Sequence, residues 1–183
     1  MFSAIREEYR VHGRLVRHTG FWTILVYRFG VWSQRRRLPM FRWALGKVYG
    51  LCSFVVSVIS GVHLDRAAKI GKRFRILHAG GIYISNRVEI GDDVTVMHHV
   101  TVGSDPLGRA PIIRDGVFIG PGACVVGHVE VGTGSRIGPN AVVIQDVPEN
   151  TIVMAPPPTQ MPNLSPSIDV VKKNRDHLTG DRG

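Results

Sequence analysis

One histidine in this chain lies among residues that suit a site for proton transfer. His78 is part of the segment FRILHAGGIYIS, two residues after Ile76 and just before a pair of glycines. An imidazole can accept a proton from a hydroxyl group near neutral pH, and glycines leave space for a substrate beside it. The alternative is a histidine that packs in a wall and makes a structural hydrogen bond. The surrounding elements decide between the two.

Those elements repeat every six residues. Aliphatic side chains occupy every sixth position in two runs, Leu64, Ile70, Ile76, Ile82, Val88, Val94, Val100 and then Ile113, Ile119, Val125, Val131, Ile137, Val143, with a companion column at Ile84, Ile90, Val96 and Val102. A period of six fits a short strand followed by a tight corner, and it fits no helix. The repeat predicts an all-β main domain over residues 61–153, a parallel β-helix whose phase slips once, at a loop over residues 103–111.

Residues 1–60 differ from the main domain in charge and in pattern. They contain ten Arg and Lys residues against Glu7 and Glu8, a net charge of +8 within a total of +9. Apolar residues over 21–32 and from about residue 40 to 60 predict two helices. The helices can pack on the main domain, contact an anionic membrane surface, or do both. Because the charge is local, a nucleic-acid groove along the main domain is disfavoured.

Cysteine content and tail composition predict neither a metal centre nor a further folded unit. Cys52 and Cys124 lie far apart without metal-type spacing, which fits a reducing compartment. We therefore expect a cytoplasmic protein, either free or peripheral at the inner leaflet of the membrane. Residues 154–183 begin with the proline-rich MAPPPTQMPNLSPS and end polar, so we expect a loosely held tail with little function.

Four segments of the repeat region resemble the left-handed β-helix acyltransferases, in particular the serine acetyltransferase branch. They are HAGG, IGDDVTVMHHVTVG, VFIGPGACVVGHVEVG and IGPNAVVIQDVPENT. The preceding VYRFGVW and RRRLP resemble the short helical preface of the members that acetylate exopolysaccharides, as in colanic-acid-type pathways. The resemblance implies three-sided coils and a homotrimer that could pair into a dimer of trimers. It also implies acetyl-coenzyme A as co-substrate in the groove between subunits, without a metal.

The same resemblance implies roles for individual residues. His78 matches the general base that takes the proton of the acceptor hydroxyl, and Gly103 matches the backbone donor to the acetyl oxygen. His98 and His99 could line the same groove or lie at a corner. The acceptor site is expected to include His99, Arg109 and Asn86. The coenzyme is expected to contact Ser104, Gly122, Ala123 and Arg136.

Several positions depart from the serine acetyltransferase pattern. Leu77 stands where an aspartate precedes the base, Ala110 where a second histidine is usual, and His63 and Asn86 where carboxylates are usual. Free serine needs one counter-charge for its ammonium group and another for its carboxylate, and Arg109 can supply only the second. We therefore predict a saccharide acceptor in surface polysaccharide or exopolysaccharide biosynthesis. Serine O-acetylation and a non-catalytic trimeric β-helix scaffold are the alternatives.

Overall fold

The computed structural model describes residues 6–7, 9–10 and 19–159. Within them, residues 6–7 and 9–10 are helical, and two further helices, α1 (Thr19–Gln34) and α2 (Pro39–Ser60), precede fourteen short strands. The strands are β1 (Val62–Leu64), β2 (Lys69–Ile70), β3 (Arg75–Ile76), β4 (Ile82–Ile84), β5 (Glu89–Ile90), β6 (Thr95–Val96), β7 (Thr101–Gly103), β8 (Ile112–Ile113), β9 (Phe118–Ile119), β10 (Cys124–Val126), β11 (Glu130–Val131), β12 (Arg136–Ile137), β13 (Val142–Val143) and β14 (Ile152–Val153). Residues 154–159 adopt no regular secondary structure, and the rest of the predicted tail lies outside the described residues.

The strands form three parallel sheets that wind around a common interior. Sheet A has the order β1-β4-β7-β10-β13, sheet B the order β2-β5-β8-β11, and sheet C the order β3-β6-β9-β12-β14. Strands three apart along the chain are therefore neighbours, except in the last coil, where β12 pairs with β14. This arrangement is a three-faced parallel β-helix, and the predicted fold class is confirmed.

Aliphatic side chains fill the interior of the β-helix. Every residue of the two predicted six-residue runs, and of the companion column, is at most 7 % exposed. Alternation along each two- or three-residue strand places their neighbours on the outer faces, as His63 in β1 and Tyr83 in β4 illustrate. The core therefore consists of stacked aliphatic layers, each covered by the next coil.

The register of the coils corrects one detail of the predicted repeat. Ile84 pairs with Val102, 18 residues further on, but Leu64 pairs with Ile84, 20 residues further on. Two extra residues therefore lie in the first coil, between Ile76 and Ile84, where His78 and the glycine pair are found. The prediction of one slip is wrong because Ile82 and Ile84 of β4 both point inward, two residues apart, so a slip of two still leaves an aliphatic residue in phase.

Helix α1 covers the open base of the β-helix. In β2, the N–H groups of Lys69 and Gly71 donate to the next coil, so the backbone groups of Ile70 face the base. The Tyr27 hydroxyl accepts from the Ile70 N–H at 3.2 Å and donates to the Ala68 carbonyl at 2.7 Å. Arg28 donates to the carbonyl groups of Ile70 and Gly71. Side chains of α1 thus satisfy the unpaired edge of β2.

Helix α2 packs on α1 through a face that includes Tyr49 and Ser60. Tyr49 lies so close to Gly30 of α1 that a methyl group at Gly30 would overlap its ring. The hydroxyl groups of Thr23 and Ser60 are 3.3 Å apart. By length and composition alone α2 could cross a membrane, with a mean hydropathy of 1.5 and 11 % of its most apolar window buried.

Candidate active site

Three histidines lie along one edge of the β-helix, which we call the histidine edge. His78 follows β3, and His98 and His99 follow β6, so all three lie at the corner where sheet C leads into sheet A. The ring centroids of His78 and His98 are 6.1 Å apart, and those of His98 and His99 are 5.5 Å apart. His78 and His99 are exposed and His98 is half-buried. The predicted base is therefore accessible and is not sealed in the wall.

Glycines shape the backbone of the histidine edge. Gly81 has a φ of +64°, and a methyl group there would overlap Nδ1 of His99. The His99 N–H donates to the Gly80 carbonyl at 2.8 Å, which ties the two coils together. Gly122 lies one coil further on, with a φ of +70° and Asn140 against it. The glycine pair next to His78 thus makes room for His99 as well as for access to the base.

A second group of predicted residues lies at the next edge, where sheet A leads into sheet B. We call it the loop edge; it carries Ser85, Asn86 and the loop of residues 103–111. The hydroxyl groups of Ser85 and Ser104 are 3.0 Å apart, and the Ser104 N–H donates to the Ser85 hydroxyl at 3.1 Å. Gly103 has space for a Cβ atom, since its nearest contacts would be 3.8 Å away. The fold itself therefore does not require glycine at position 103.

The loop contains a charge pair that sequence reasoning missed. The Asp105 carboxylate accepts from the backbone N–H of Arg109 at 2.9 Å and from its Nε at 2.7 Å. These hydrogen bonds from Arg109, its backbone N–H first, hold the pKa of Asp105 below its usual value. The Asp105 side chain is 12 % exposed and that of Arg109 is 57 % exposed. The spacing of four residues between opposite charges was the available signal.

Two of the predicted coenzyme contacts, Arg136 and Ala123, differ in exposure to solvent. Arg136 is exposed on sheet C, and its guanidinium lies 4.6 Å from the centroid of the Phe118 ring. Ala123 is completely buried, and its backbone N–H donates to Gly120. The methyl group of Ala123 points into the core, so its side chain is not at the surface of the chain. Arg136 keeps a face that can contact phosphate.

Other chemistry is not supported by the described residues. No group of three or more His, Cys, Asp or Glu side chains that could hold a metal ion occurs in the part of the chain that the structure describes. Cys52 and Cys124 are free thiols. Burial raises the pKa of the Cys124 thiol, so the thiolate form that a nucleophile needs is disfavoured.

The two edges are on opposite sides of sheet A. His78 and His99 belong to the histidine edge, whereas Gly103, Ser104 and Arg109 belong to the loop edge. Within one chain, the structure therefore does not bring the predicted base and the predicted acceptor loop together. A substrate that touches both needs the loop edge of one chain beside the histidine edge of another.

Known proteins similar in sequence to this chain are hexapeptide-repeat transferases and serine acetyltransferases. The model for the bacterial transferase hexapeptide (six repeats) matches residues 110–145. The serine acetyltransferase of Mycobacterium tuberculosis is 41 % identical over 113 residues, which are 60 % of this chain and 49 % of that protein. The chain spans about half the length of several such curated relatives.

Solved structures agree with the sequence comparison. The Brucella abortus serine acetyltransferase in complex with coenzyme A has a TM-score of 0.69 and 26 % identity, covering 84 % of this chain and 63 % of that one. The soybean serine acetyltransferase complexed with serine has a TM-score of 0.71 and 27 % identity, covering 85 % and 67 %. Both structures match the β-helix of this chain with its preceding helical segment.

Proposed function

Because the chain is a hexapeptide-repeat protein of the bacterial transferase type and a homologue of serine acetyltransferases, we propose that it is an acetyl-coenzyme A-dependent serine O-acetyltransferase. The similarity to these enzymes carries the proposal. Relatives with structures in complex with coenzyme A and with serine support both substrates. The exposed His78 beside a glycine pair supports the chemistry.

This proposal corrects the saccharide acceptor predicted from the sequence. The relatives are serine acetyltransferases, and they do not support the resemblance to colanic-acid-type enzymes or a role in polysaccharide biosynthesis. The saccharide prediction rests on a few motif positions, whereas the similarity extends over more than a hundred residues. Arg109 is also not the sole charge near an amino-acid acceptor, since Asp105 lies beside it in the same loop.

The proposed reaction uses His78 as the general base. Its imidazole accepts the proton of the serine hydroxyl while the hydroxyl oxygen attacks the carbonyl carbon of the acetyl thioester. The carbonyl oxygen gains negative charge, and the backbone N–H of Gly103 is the proposed donor to it. The carbon–sulfur bond then breaks, and the departing thiolate takes the proton from the imidazolium. O-acetylserine and free coenzyme A are the products.

The charge pair of the loop suits an amino-acid acceptor. Guanidinium N–H groups of Arg109 that Asp105 does not use can bind the serine carboxylate. The Asp105 carboxylate offers negative charge for the serine ammonium group. His99 and Asn86 stay proposed acceptor contacts on their respective edges. The proposed coenzyme contacts stay Ser104, Gly122, Ala123 and Arg136.

The reaction as proposed requires a neighbouring subunit, and a homotrimer supplies one for each site. The support for this requirement is the separation of the two edges by sheet A, since His78 of one subunit can meet Arg109 only on a neighbouring subunit. Three such contacts close a ring, and the isolated chain then has only half of each site. We place the enzyme in the cytoplasm, where the free thiols of Cys52 and Cys124 would stay reduced.

A thiol-release assay tests the proposal. The full-length protein is supplied with acetyl-coenzyme A and serine, and free coenzyme A and O-acetylserine are both measured. We expect turnover that His78→Ala lowers by at least about a hundredfold. His63→Ala is the matched control, because His63 is exposed and stacks on Tyr83 of sheet A.

The two parts of the proposal fail separately. Turnover near the original level in a trimeric, well-folded His78→Ala protein would reject the base. Absence of O-acetylserine from a protein that binds acetyl-coenzyme A would reject serine as the acceptor.

A further inference from the structure

The outer face of α2 is largely apolar, with the exposed Lys47 between Trp43 and Leu51 as an exception. Nine large apolar side chains on it are 44–84 % exposed: Met40, Phe41, Trp43, Val48, Leu51, Phe54, Val55, Val58 and Ile59. The opposite face, which contacts α1, carries Tyr49, Ser53, Val56 and Ser60. The helix therefore turns its larger apolar side chains away from the protein. With 22 residues it presents them over about 33 Å.

Such a face is larger than the apolar patches that soluble proteins usually leave in water, so we expect it to bind an apolar partner. The charges around the face indicate the chemistry of that partner. Between Glu8 and Asp65 the sequence contains no acidic residue, and five basic residues adjoin or lie within α2: Arg35, Arg36, Arg37, Arg42 and Lys47. A second copy packed in parallel would set basic side chains against basic side chains, and an antiparallel copy would set them against the apolar carboxyl-terminal half of the helix. An anionic lipid surface would neutralise them.

Aromatic and basic side chains are paired at the same end of α2. The Arg36 guanidinium lies 4.2 Å from the centroid of the Trp32 ring, and the Lys47 ammonium lies 5.8 Å from that of Trp43. Tryptophan beside Lys and Arg suits the boundary between lipid headgroups and acyl chains. We propose that α2 binds the surface of an anionic phospholipid bilayer, with its nine apolar side chains in the acyl region and the basic residues at the headgroups.

The packing of α1 decides how α2 lies. Tyr27 and Arg28 hold α1 on the base of the β-helix, and residues 35–38 connect it directly to α2. The other end of α2 reaches β1 through Gly61 alone. Both ends of α2 are thus tied to the same body on one side of the bilayer. The helix lies in the plane of the interface and does not cross it, because crossing would pull α1 off the base.

Vesicle sedimentation with the full-length protein tests this inference. The protein is mixed with vesicles of phosphatidylglycerol and phosphatidylcholine in equal parts, and with vesicles of phosphatidylcholine alone. We expect sedimentation with the anionic vesicles and much less with the neutral ones. Leu51→Ser/Phe54→Ser/Val58→Ser should weaken binding at least about tenfold. The matched control, Val142→Ser/Ile144→Ser/Ile152→Ser, changes comparably exposed side chains at the far end of the β-helix and should bind normally.

The basic residues are tested in the same way. Arg35→Gln/Arg37→Gln should weaken binding to anionic vesicles roughly 30-fold, since each basic residue near such a surface contributes about a factor of five. Lys72→Gln/Arg87→Gln removes the same charge from the exposed surface of the β-helix and should have a smaller effect.

Three results would overturn the inference. The first is a protein that stays in the supernatant with both kinds of vesicle. The second is a triple serine variant that sediments like the original protein, or that loses a higher oligomer in light scattering without any change in vesicle binding. The third is retention on vesicles after an alkaline carbonate wash, which would indicate a spanning helix. Circular dichroism of each variant establishes that it is folded.

Discussion

Replacing Tyr27 by phenylalanine removes one hydroxyl group that serves two backbone groups at the base of the β-helix. Tyr27 is 3 % exposed, donates to the Ala68 carbonyl at 2.7 Å and accepts from the Ile70 N–H at 3.2 Å. A buried polar group left without its partner costs about 1–3 kcal/mol. The loss of a partner for both backbone groups should lower the free energy of unfolding by about 2–4 kcal/mol, because water at this open end can replace part of the lost hydrogen bonding.

Thermal unfolding at a fixed protein concentration measures this loss. For a chain of this size we expect the Tm of Tyr27→Phe to fall by roughly 5–15 °C. Tyr83→Phe is the matched control, because Tyr83 is 47 % exposed on the outer face of sheet A. A Tm of Tyr27→Phe within a degree or so of the original protein would show that α1 is not held as described.

The same hydroxyl predicts a pH dependence. Burial raises the pKa of Tyr27 above its ordinary value of 10.0, so the folded state holds the proton more tightly than the unfolded state. Its contribution is complete below pH 10.0 and is lost as the pH rises through the higher folded-state pKa. The original protein should therefore lose stability in alkaline solution by a step that Tyr27→Phe lacks. Identical alkaline unfolding curves would contradict this.

Two further predictions concern the two edges of the β-helix. Gly81→Ala should cost about 1–2 kcal/mol and raise the KM for serine by displacing His99. Gly46→Ala, which meets no neighbour within helix α2, should raise stability by about 0.5–1 kcal/mol and leave the KM unchanged. An unchanged KM in Gly81→Ala would mean that His99 does not contact the acceptor. Because the folded-state pKa of Asp105 is lowered, its hold on Arg109 is present above the unfolded pKa and is lost as pH falls through the folded one. Asp105→Asn should mimic that loss and speed tryptic cleavage after Arg109; cleavage at the original rate would refute it.

Much of the β-helix could be predicted from the sequence because its period is local. Each strand and corner occupies six residues, so inward aliphatic positions such as Val125, Val131 and Ile137 predict the coil directly. The position of His78 beside a glycine pair was equally visible. Its ring contact with His98 was not, because side chains that lie together at one edge are about 20 residues apart along the chain.

Two features of the protein follow from its tertiary structure and not from local sequence patterns: the exposed face of α2 and the Asp105–Arg109 pair. Helix α2 is apolar on most sides, so only its packing on Gly30 through Tyr49 shows which face is left exposed. The Asp105–Arg109 pair became a candidate acceptor site only when the loop closed around it. The sequence by itself determined the repeat, because burial of alternate side chains is enforced at every coil. Register, the separation of the two edges and the free face of α2 depend on contacts between distant residues, and only the folded chain fixes those.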